Sequence, residues 1–131
     1  MRHLLKIISI LLFAVNSYAQ FIPFPFIAHT STRTAKTFYV KSSGSDAATG
    51  LDTTNAWQTI NKINTTTFIA GDTIKFKGGN TFTGTIHIED DTGTVSQPIV
   101  FTSYGGSRAT ISVQTDSNGI YCLNLGNIVI R

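Results

Sequence analysis

The chain has 131 residues, a formal net charge of +3 and only 13% charged residues. That length allows one domain, and a single cysteine, Cys122, rules out both an intramolecular disulfide and a cysteine-based metal site. No lysine–arginine cluster marks a nucleic-acid surface, and no basic amphipathic helix marks a protein that lies on a membrane.

Arg2, His3 and Lys6 make a short basic start, residues 7–15 form an apolar run, and Ser17-Tyr18-Ala19 offers small residues where a signal peptidase reads. Residues 1–19 therefore read as a signal peptide cleaved before Gln20. A helix over that apolar run rises only about 14 Å, against roughly 30 Å of hydrocarbon, which disfavours a membrane anchor. Removing Arg2 and Lys6 lowers the basic residues from 10 to 8 against 7 acidic ones, a net charge of +1. The expected location is outside the cell, at the cell surface or in a periplasm, with no membrane span after signal cleavage.

Residues 20–37 read as an extended linker or arm, because Pro23 and Pro25 exclude a regular helix or a central strand. Phe21, Ile22, Phe24 and Phe26 are costly to leave in water, so docking on the body and aggregation are both open. Thr37-Phe38-Tyr39-Val40-Lys41 reads as a short strand, followed by a turn at Ser42–Asp46 and polar loop to Asp52. Trp57, Ile60 and Ile63 then recur every three residues. That spacing predicts a helix of about ten residues with one apolar stripe, capped by Asn55 with Gln58 reaching back, and ended by Thr65-Thr66-Thr67.

After Gly71-Asp72 the pattern alternates. Ile74/Phe76, Ile86/Ile88, Ile99/Phe101, Ile111/Val113 and Ile128/Ile130 each bracket one residue of the opposite face. Ile74 and Phe76 shifted by 25 positions land on Ile99 and Phe101, and Ile86 and Ile88 shifted by the same 25 land on Ile111 and Val113. A shared offset is what stacked windings require, since each must set an apolar side chain above the one below. The spacing predicts an all-β parallel solenoid and disfavours a small carbohydrate-binding β-sandwich. Beyond Val113 the register is open: Ile120/Cys122 follow Ile99/Phe101 by 21, and Ile128/Ile130 follow the same pair by 29 and Ile111/Val113 by 17. Cys122, set among Ile120, Tyr121 and Leu123, is expected to be a buried, inert thiol.

Several segments in this order carry a resemblance: Phe38–Asp46, Ala56-Trp57-Gln58-Thr59-Ile60, Ala70-Gly71-Asp72-Thr73-Ile74, Gly78-Gly79-Asn80-Thr81-Phe82, Pro98-Ile99-Val100-Phe101 and Tyr104-Gly105-Gly106. Together they resemble the N-terminal segment of the pectate-lyase-like superfamily of right-handed parallel β-helices. That superfamily holds polysaccharide lyases, some glycoside hydrolases and bacterial surface proteins. The resemblance implies that residues 38–131 form an N-terminal cap and the first coils, with the short helix covering the end of the stack. It is specific for the fold and weak for any one activity.

A lyase needs a group that neutralises a uronate carboxylate and a base beside it; a glycosidase needs two carboxylates facing one bond. Glu89-Asp90-Asp91 is the one acidic cluster, and it reads as a solvated turn rather than a calcium site, since three adjacent carboxylates do not converge on one ion. Lys75 and Lys77 face outward on one strand, where they either solubilise the edge or touch an acidic glycan. His87 reads as a surface residue, Asp72 as a turn cap, and Tyr104 as a turn anchor or a sugar-stacking ring. Asn64-Thr65-Thr66 is a glycosylation sequon, meaningful only in a eukaryotic secretory pathway. No catalytic and no cofactor-binding residue is assigned, the metal is unknown, and Ca²⁺ enters only as an expectation for full-length members of the resembling family.

Asn127-Ile128-Val129-Ile130 reads as a strand in progress, so the expectation is a truncated chain, inactive alone. Two readings remain. One is an N-terminal fragment of a secreted polysaccharide-degrading lyase or glycosidase, whose partner is a polysaccharide, possibly an acidic one. The other is a non-catalytic cell-surface β-helix that binds carbohydrate or mediates adhesion.

Overall fold

The computed structural model describes residues 33–114, 118–123 and 126–131, all inside one compact unit, Ser31–Arg131. The expected signal segment 1–19 and residues 20–32 of the expected arm lie outside the described residues. The described residues are all-β apart from one short helix. The elements in order are β1 (Thr37–Val40), α1 (Ile60–Asn64), β2 (Thr73–Lys77), β3 (Thr81–Thr83), β4 (Ile86–Glu89), β5 (Ile99–Tyr104), β6 (Thr110–Ser112), β7 (Ile120–Leu123) and β8 (Ile128–Ile130).

These strands form three parallel sheets of order β1-β2-β5-β8, β3-β6 and β4-β7. From β2 onward the chain visits the three sheets in turn and returns to the first at β5 and β8. Alternation explains why β1 to β4 form: one face is apolar and buried, the other more exposed. Ile74 and Phe76 of β2, Ile86 and Ile88 of β4, and Ile99 and Phe101 of β5 all belong to one core with Phe38, Val40, Phe68 and Phe82. Burying each such side chain contributes about 1.5–3 kcal/mol.

The offset between stacked strands is not constant. Ile74 faces Phe101, 27 residues on, rather than Ile99, and Phe76 faces Ser103. A two-residue shift keeps every side chain on its own face, so the hydrophobic pattern cannot distinguish offsets of 25 and 27. Ser103, on the Phe101 face, places its hydroxyl where it accepts the Ala109 N–H at 3.0 Å. Ile86 and Ile88 face Ile120 and Cys122, not Ile111 and Val113. Ile111 instead faces Phe82 of β3, a three-residue strand too short for alternation to reveal. Ile128 and Ile130 sit on Ile99 and Phe101, which closes the ambiguity in favour of the offset of 29.

The helix is also shorter than its apolar stripe. It covers only Ile60–Asn64, with Thr59 as the N-cap accepting from the Lys62 N–H. Trp57 lies outside it on extended backbone, bridged to Val40. Asp46 causes this. Its Oδ1 accepts the Gln58 and Thr59 N–H groups at 2.8 and 3.0 Å, and its Oδ2 the Thr59 hydroxyl at 2.6 Å, which fixes those residues before the helix starts. Asn55 is no cap: Asp52 holds it through both its backbone and side-chain N–H groups. The Trp57 indole stacks on Phe38 with centroids 4.7 Å apart and donates to the Ala48 carbonyl at 3.1 Å. Gly50 lies under that indole with φ +75°, so any side chain there would strain the backbone and overlap the ring.

Residues 33–36, the described end of the expected arm, are tied to the body by Asp72. This carboxylate is wholly buried. It accepts from both Arg33 guanidinium nitrogens, from the Lys36 N–H and from the Ile69 N–H. Asp72 thus caps its own turn, as expected, and also fastens a segment 36 residues away.

Candidate functional site

Two polar surfaces meet the chemical criteria for a site. The first is a cleft of about 570 Å³ between the C-terminal end of α1 and the strand and turn Glu89–Asp91. His87 and Glu89 alternate outward on β4, and His87 Nδ1 lies 3.7 Å from a Glu89 oxygen. The Tyr121 ring stands beside the imidazole, centroids 5.5 Å apart, because His87 and Tyr121 are register partners on β4 and β7. Asn64 clasps the β4 backbone: its Oδ1 accepts the His87 N–H at 3.0 Å and its Nδ2 donates to the Thr85 carbonyl at 2.9 Å. The sequon asparagine therefore holds the helix to the sheet.

Asp91 departs from expectation. It is not a solvated turn residue but is buried, and its Oδ1 accepts the Phe68 N–H at 3.0 Å. Burial raises its pKa above the ordinary carboxylate value; the Phe68 hydrogen bond opposes this, and the charges of Asp72 and Asp90 add to it. Asp90 takes a left-handed conformation, φ 59°, which turns consecutive carboxylates apart. Among the described residues no three His, Cys, Asp or Glu side chains converge as a metal ion would require.

The second surface is the outward face of the sheet β1-β2-β5. Register places Tyr39 beside Lys75, Lys75 beside Thr102, and Lys77 beside Tyr104. The Lys75 ammonium lies over the Tyr39 ring at 5.8 Å, the Lys77 ammonium over the Tyr104 ring at 5.4 Å, and the two tyrosines meet edge to face at 5.4 Å. Burial and the neighbouring Tyr39 raise the Tyr104 pKa above its ordinary value, so its hydroxyl stays a donor at neutral pH. A cleft of about 370 Å³ opens at the end of this face, with Lys41, Ser42, Lys77, Asn80 and Tyr104 on its walls. Gly105 and Gly106, both at φ 86°, make the corner that follows Tyr104.

The structure thus joins Lys75, Lys77 and Tyr104, which sequence left separate, and adds Tyr39 and Lys41, which sequence did not single out. The signal for Tyr39 was present, since it alternates with buried Phe38 and Val40. Its neighbours could not be known without the register of β1 on β2. His87 is a surface residue as expected, now paired with Glu89 and Tyr121. Cys122 is exposed, not buried. It faces Ile88 across β4-β7, and among the described residues no strand pairs with β7 on its other side. No described helix is long and apolar enough to cross a membrane.

No protein-family model matches the chain, and no curated protein matches it. Among solved structures it is similar to a GH136 lacto-N-biosidase from Eubacterium ramulus, in its native form and as a selenomethionine derivative. Both matches have 27% sequence identity and a TM-score of 0.50 over 55% of this chain. The chain spans 12% of the length of that enzyme, so the relation to a glycoside hydrolase is one of a small part to a much larger whole.

Proposed function

We propose that this chain forms the capped opening windings of a right-handed parallel β-helix, of pectate-lyase-like type, in an exported protein that acts on or binds polysaccharide. The observation that carries the reading is the return of the chain to the same sheet at β2, β5 and β8, always in parallel register, in a chain 27% identical over the matched region to part of a glycoside hydrolase. Parallel strands joined through other sheets of the same stack need no hairpin, and the right hand follows the general chirality of such crossovers. Trp57, Ile60 and Ile63 supply the cap that a solenoid end needs. The apolar segment before Ala19 supports export.

Within this reading, catalysis belongs to a longer stack, and the 131 residues contribute its first windings and a glycan-contacting surface. Binding without hydrolysis is favoured as a second reading by the lysine–tyrosine face, which has the chemistry of adhesion. The test is affinity electrophoresis of the purified chain through gels holding a panel of neutral and uronate-bearing polysaccharides, with reducing-end release measured in parallel. Retardation by at least one glycan without new reducing ends is expected. Migration unchanged in every gel would remove the carbohydrate reading, and release of new ends would place catalysis within this segment.

A further inference from the structure

We propose that Asn118-Gly119 is a self-modification site: the asparagine side chain closes on the following peptide nitrogen and yields a mixture of isoaspartyl and aspartyl residues, of which the isoaspartyl product loosens the start of β7. The co-reactant is water, and the inference is independent of the carbohydrate reading above.

The pair is the one Asn-Gly dipeptide in the chain. Asparagine is thermolabile because its side-chain amide carbon reaches the next peptide nitrogen and closes a succinimide ring on it. A glycine in second place puts no Cβ beside that nitrogen and lets the backbone rotate into the attacking geometry. The fold itself does not require glycine here. Of the eleven glycines, six take a positive φ and four more would set a Cβ under 3.0 Å from a neighbouring atom. Gly119 does neither: the nearest described atom to a Cβ would be Ile111 Cγ2 at 3.9 Å, an ordinary contact.

The pair is also unrestrained. Asn118 is exposed, and among the described residues neither its side chain nor the Gly119 N–H makes a hydrogen bond. Other asparagines are held. Asn55 donates to Asp52, Asn64 bonds through both amide atoms, Asn80 accepts from Ser42, and Asn127 donates to the Gly93 carbonyl. After Asn61 the nitrogen that would attack, that of Lys62, donates to the Thr59 hydroxyl at 3.2 Å.

The Gly119 nitrogen gives its proton to base and attacks Cγ of Asn118. The bond from Cγ to the side-chain nitrogen breaks, and that nitrogen leaves as ammonia. Water then opens the succinimide. Cleavage between the ring nitrogen and Cγ leaves an aspartyl residue. Cleavage between the nitrogen and the backbone carbonyl carbon leaves an isoaspartyl residue, whose main chain runs through Cβ and Cγ. Water is taken up, ammonia is released, and nothing is oxidised or reduced. The isoaspartyl form lengthens the main chain by one atom immediately before Gly119. The Gly119 carbonyl accepts the Ile86 N–H at 3.0 Å, at the start of the β4-β7 ladder where Ile86 faces Ile120. Displacing that carbonyl leaves the Ile86 N–H without its acceptor and frays the start of β7. The aspartyl form keeps the original main chain and leaves the ladder in place.

The test incubates the full chain in mildly alkaline buffer and follows position 118 by peptide mapping with mass spectrometry. Methylation by an isoaspartyl methyltransferase identifies the isoaspartyl product. Gly119→Ala and Asn118→Gln are treated alike, with circular dichroism to show that each folds as the parent does. Asn118 should convert faster than any other described asparagine, at a rate in the folded chain within about tenfold of that in a short synthetic peptide of the same sequence. Gly119→Ala should slow conversion about tenfold, since a Cβ crowds the nitrogen and stiffens the backbone. Asn118→Gln, which has to close a larger ring, should give no isoaspartyl signal at this position. In the isoaspartyl form, separated by ion exchange, the Ile86 amide should exchange hydrogen at least about tenfold faster than in the parent or the aspartyl form. Conversion in the folded chain slower than the peptide limit would show that the turn protects the pair and would overturn the proposal. Conversion of Gly119→Ala at the parent's rate, or faster loss at Asn55, Asn61, Asn64, Asn80 or Asn127, would do the same. Unchanged exchange at Ile86 would overturn the loosening of β7.

Discussion

Asp72 is the residue on which the described N-terminal segment depends. Its carboxylate has no solvent exposure and serves Arg33, Lys36 and Ile69 at once. Replacing it with alanine leaves a guanidinium without its partner and two N–H groups without acceptors. Asp72→Ala should cost about 3–5 kcal/mol in urea unfolding. Arg33→Ala should cost less, because Arg33 is partly solvated and the two N–H donors keep their acceptor. Equal losses for the two variants would show that the guanidinium, not the backbone cap, carries the energy.

Asp91 makes the opposite kind of contribution. Burial raises its folded-state pKa, so the native state holds this proton more tightly than the unfolded chain does. Stability from that proton is fully present below the unfolded carboxylate pKa and is lost as pH rises through the higher folded value. Asp91→Asn keeps an oxygen for the Phe68 N–H and removes the buried charge. The variant should match or exceed the parent at neutral pH, and its stability should not decline from pH 4 to 7 as that part of the parent's does. Urea midpoints at the two pH values decide it. Asp46 runs the other way: burial pushes its pKa up, but hydrogen bonds from the Thr59 hydroxyl and the Gln58 and Thr59 amides outweigh it, with Lys62 adding to them, and the net shift is downward. Its contribution is present above the ordinary carboxylate pKa and fades as pH falls through the folded value.

For the strands, register is the quantity that hydrophobic pattern underdetermines. Lys75 faces Thr102 in the observed pairing and would face Val100 with an offset of 25. Neighbouring strands lie about 4.8 Å apart, within the span a disulfide bridges. Lys75→Cys/Thr102→Cys should therefore oxidise to an intramolecular disulfide, and Lys75→Cys/Val100→Cys should not, in a Cys122→Ser background read by non-reducing mass spectrometry. The reverse result would restore the constant spacing. The helix carries a related lesson. Trp57, Ile60 and Ile63 are all buried, so the stripe is real, yet only two of the three are helical. Burial of a residue every third position does not require a helix when a distant carboxylate, here Asp46, holds the first turn extended.

Across the molecule, exposure is uneven. Tyr121, Leu123 and Ile130 are exposed large hydrophobic side chains on β7 and β8, and Cys122 is exposed beside them. Cys122 should react with Ellman's reagent at full stoichiometry under native conditions; reaction only in denaturant would return it to a buried thiol. Unpaired strand edges with apolar neighbours are templates for association. Leu123→Lys/Ile130→Lys should raise the concentration at which the chain sediments as a monomer, and no change would show that this edge is not the adhesive surface.

Sequence by itself determined which residues of β2 and β4 face inward, Ile74, Phe76, Ile86 and Ile88, because alternation along a strand is a property of the backbone and survives any shift by two. It determined the parallel all-β character through repeated apolar pairs, and the turn-capping role of Asp72 through its place after Gly71. Tertiary structure alone decided which strand rests on which, where the helix starts, that Asp91 is buried, and that Lys75, Lys77, Tyr39 and Tyr104 share one face. Each of these depends on the lengths of the turns between strands and on contacts between distant residues, such as Asp46 with Thr59. Local pattern carries no record of either.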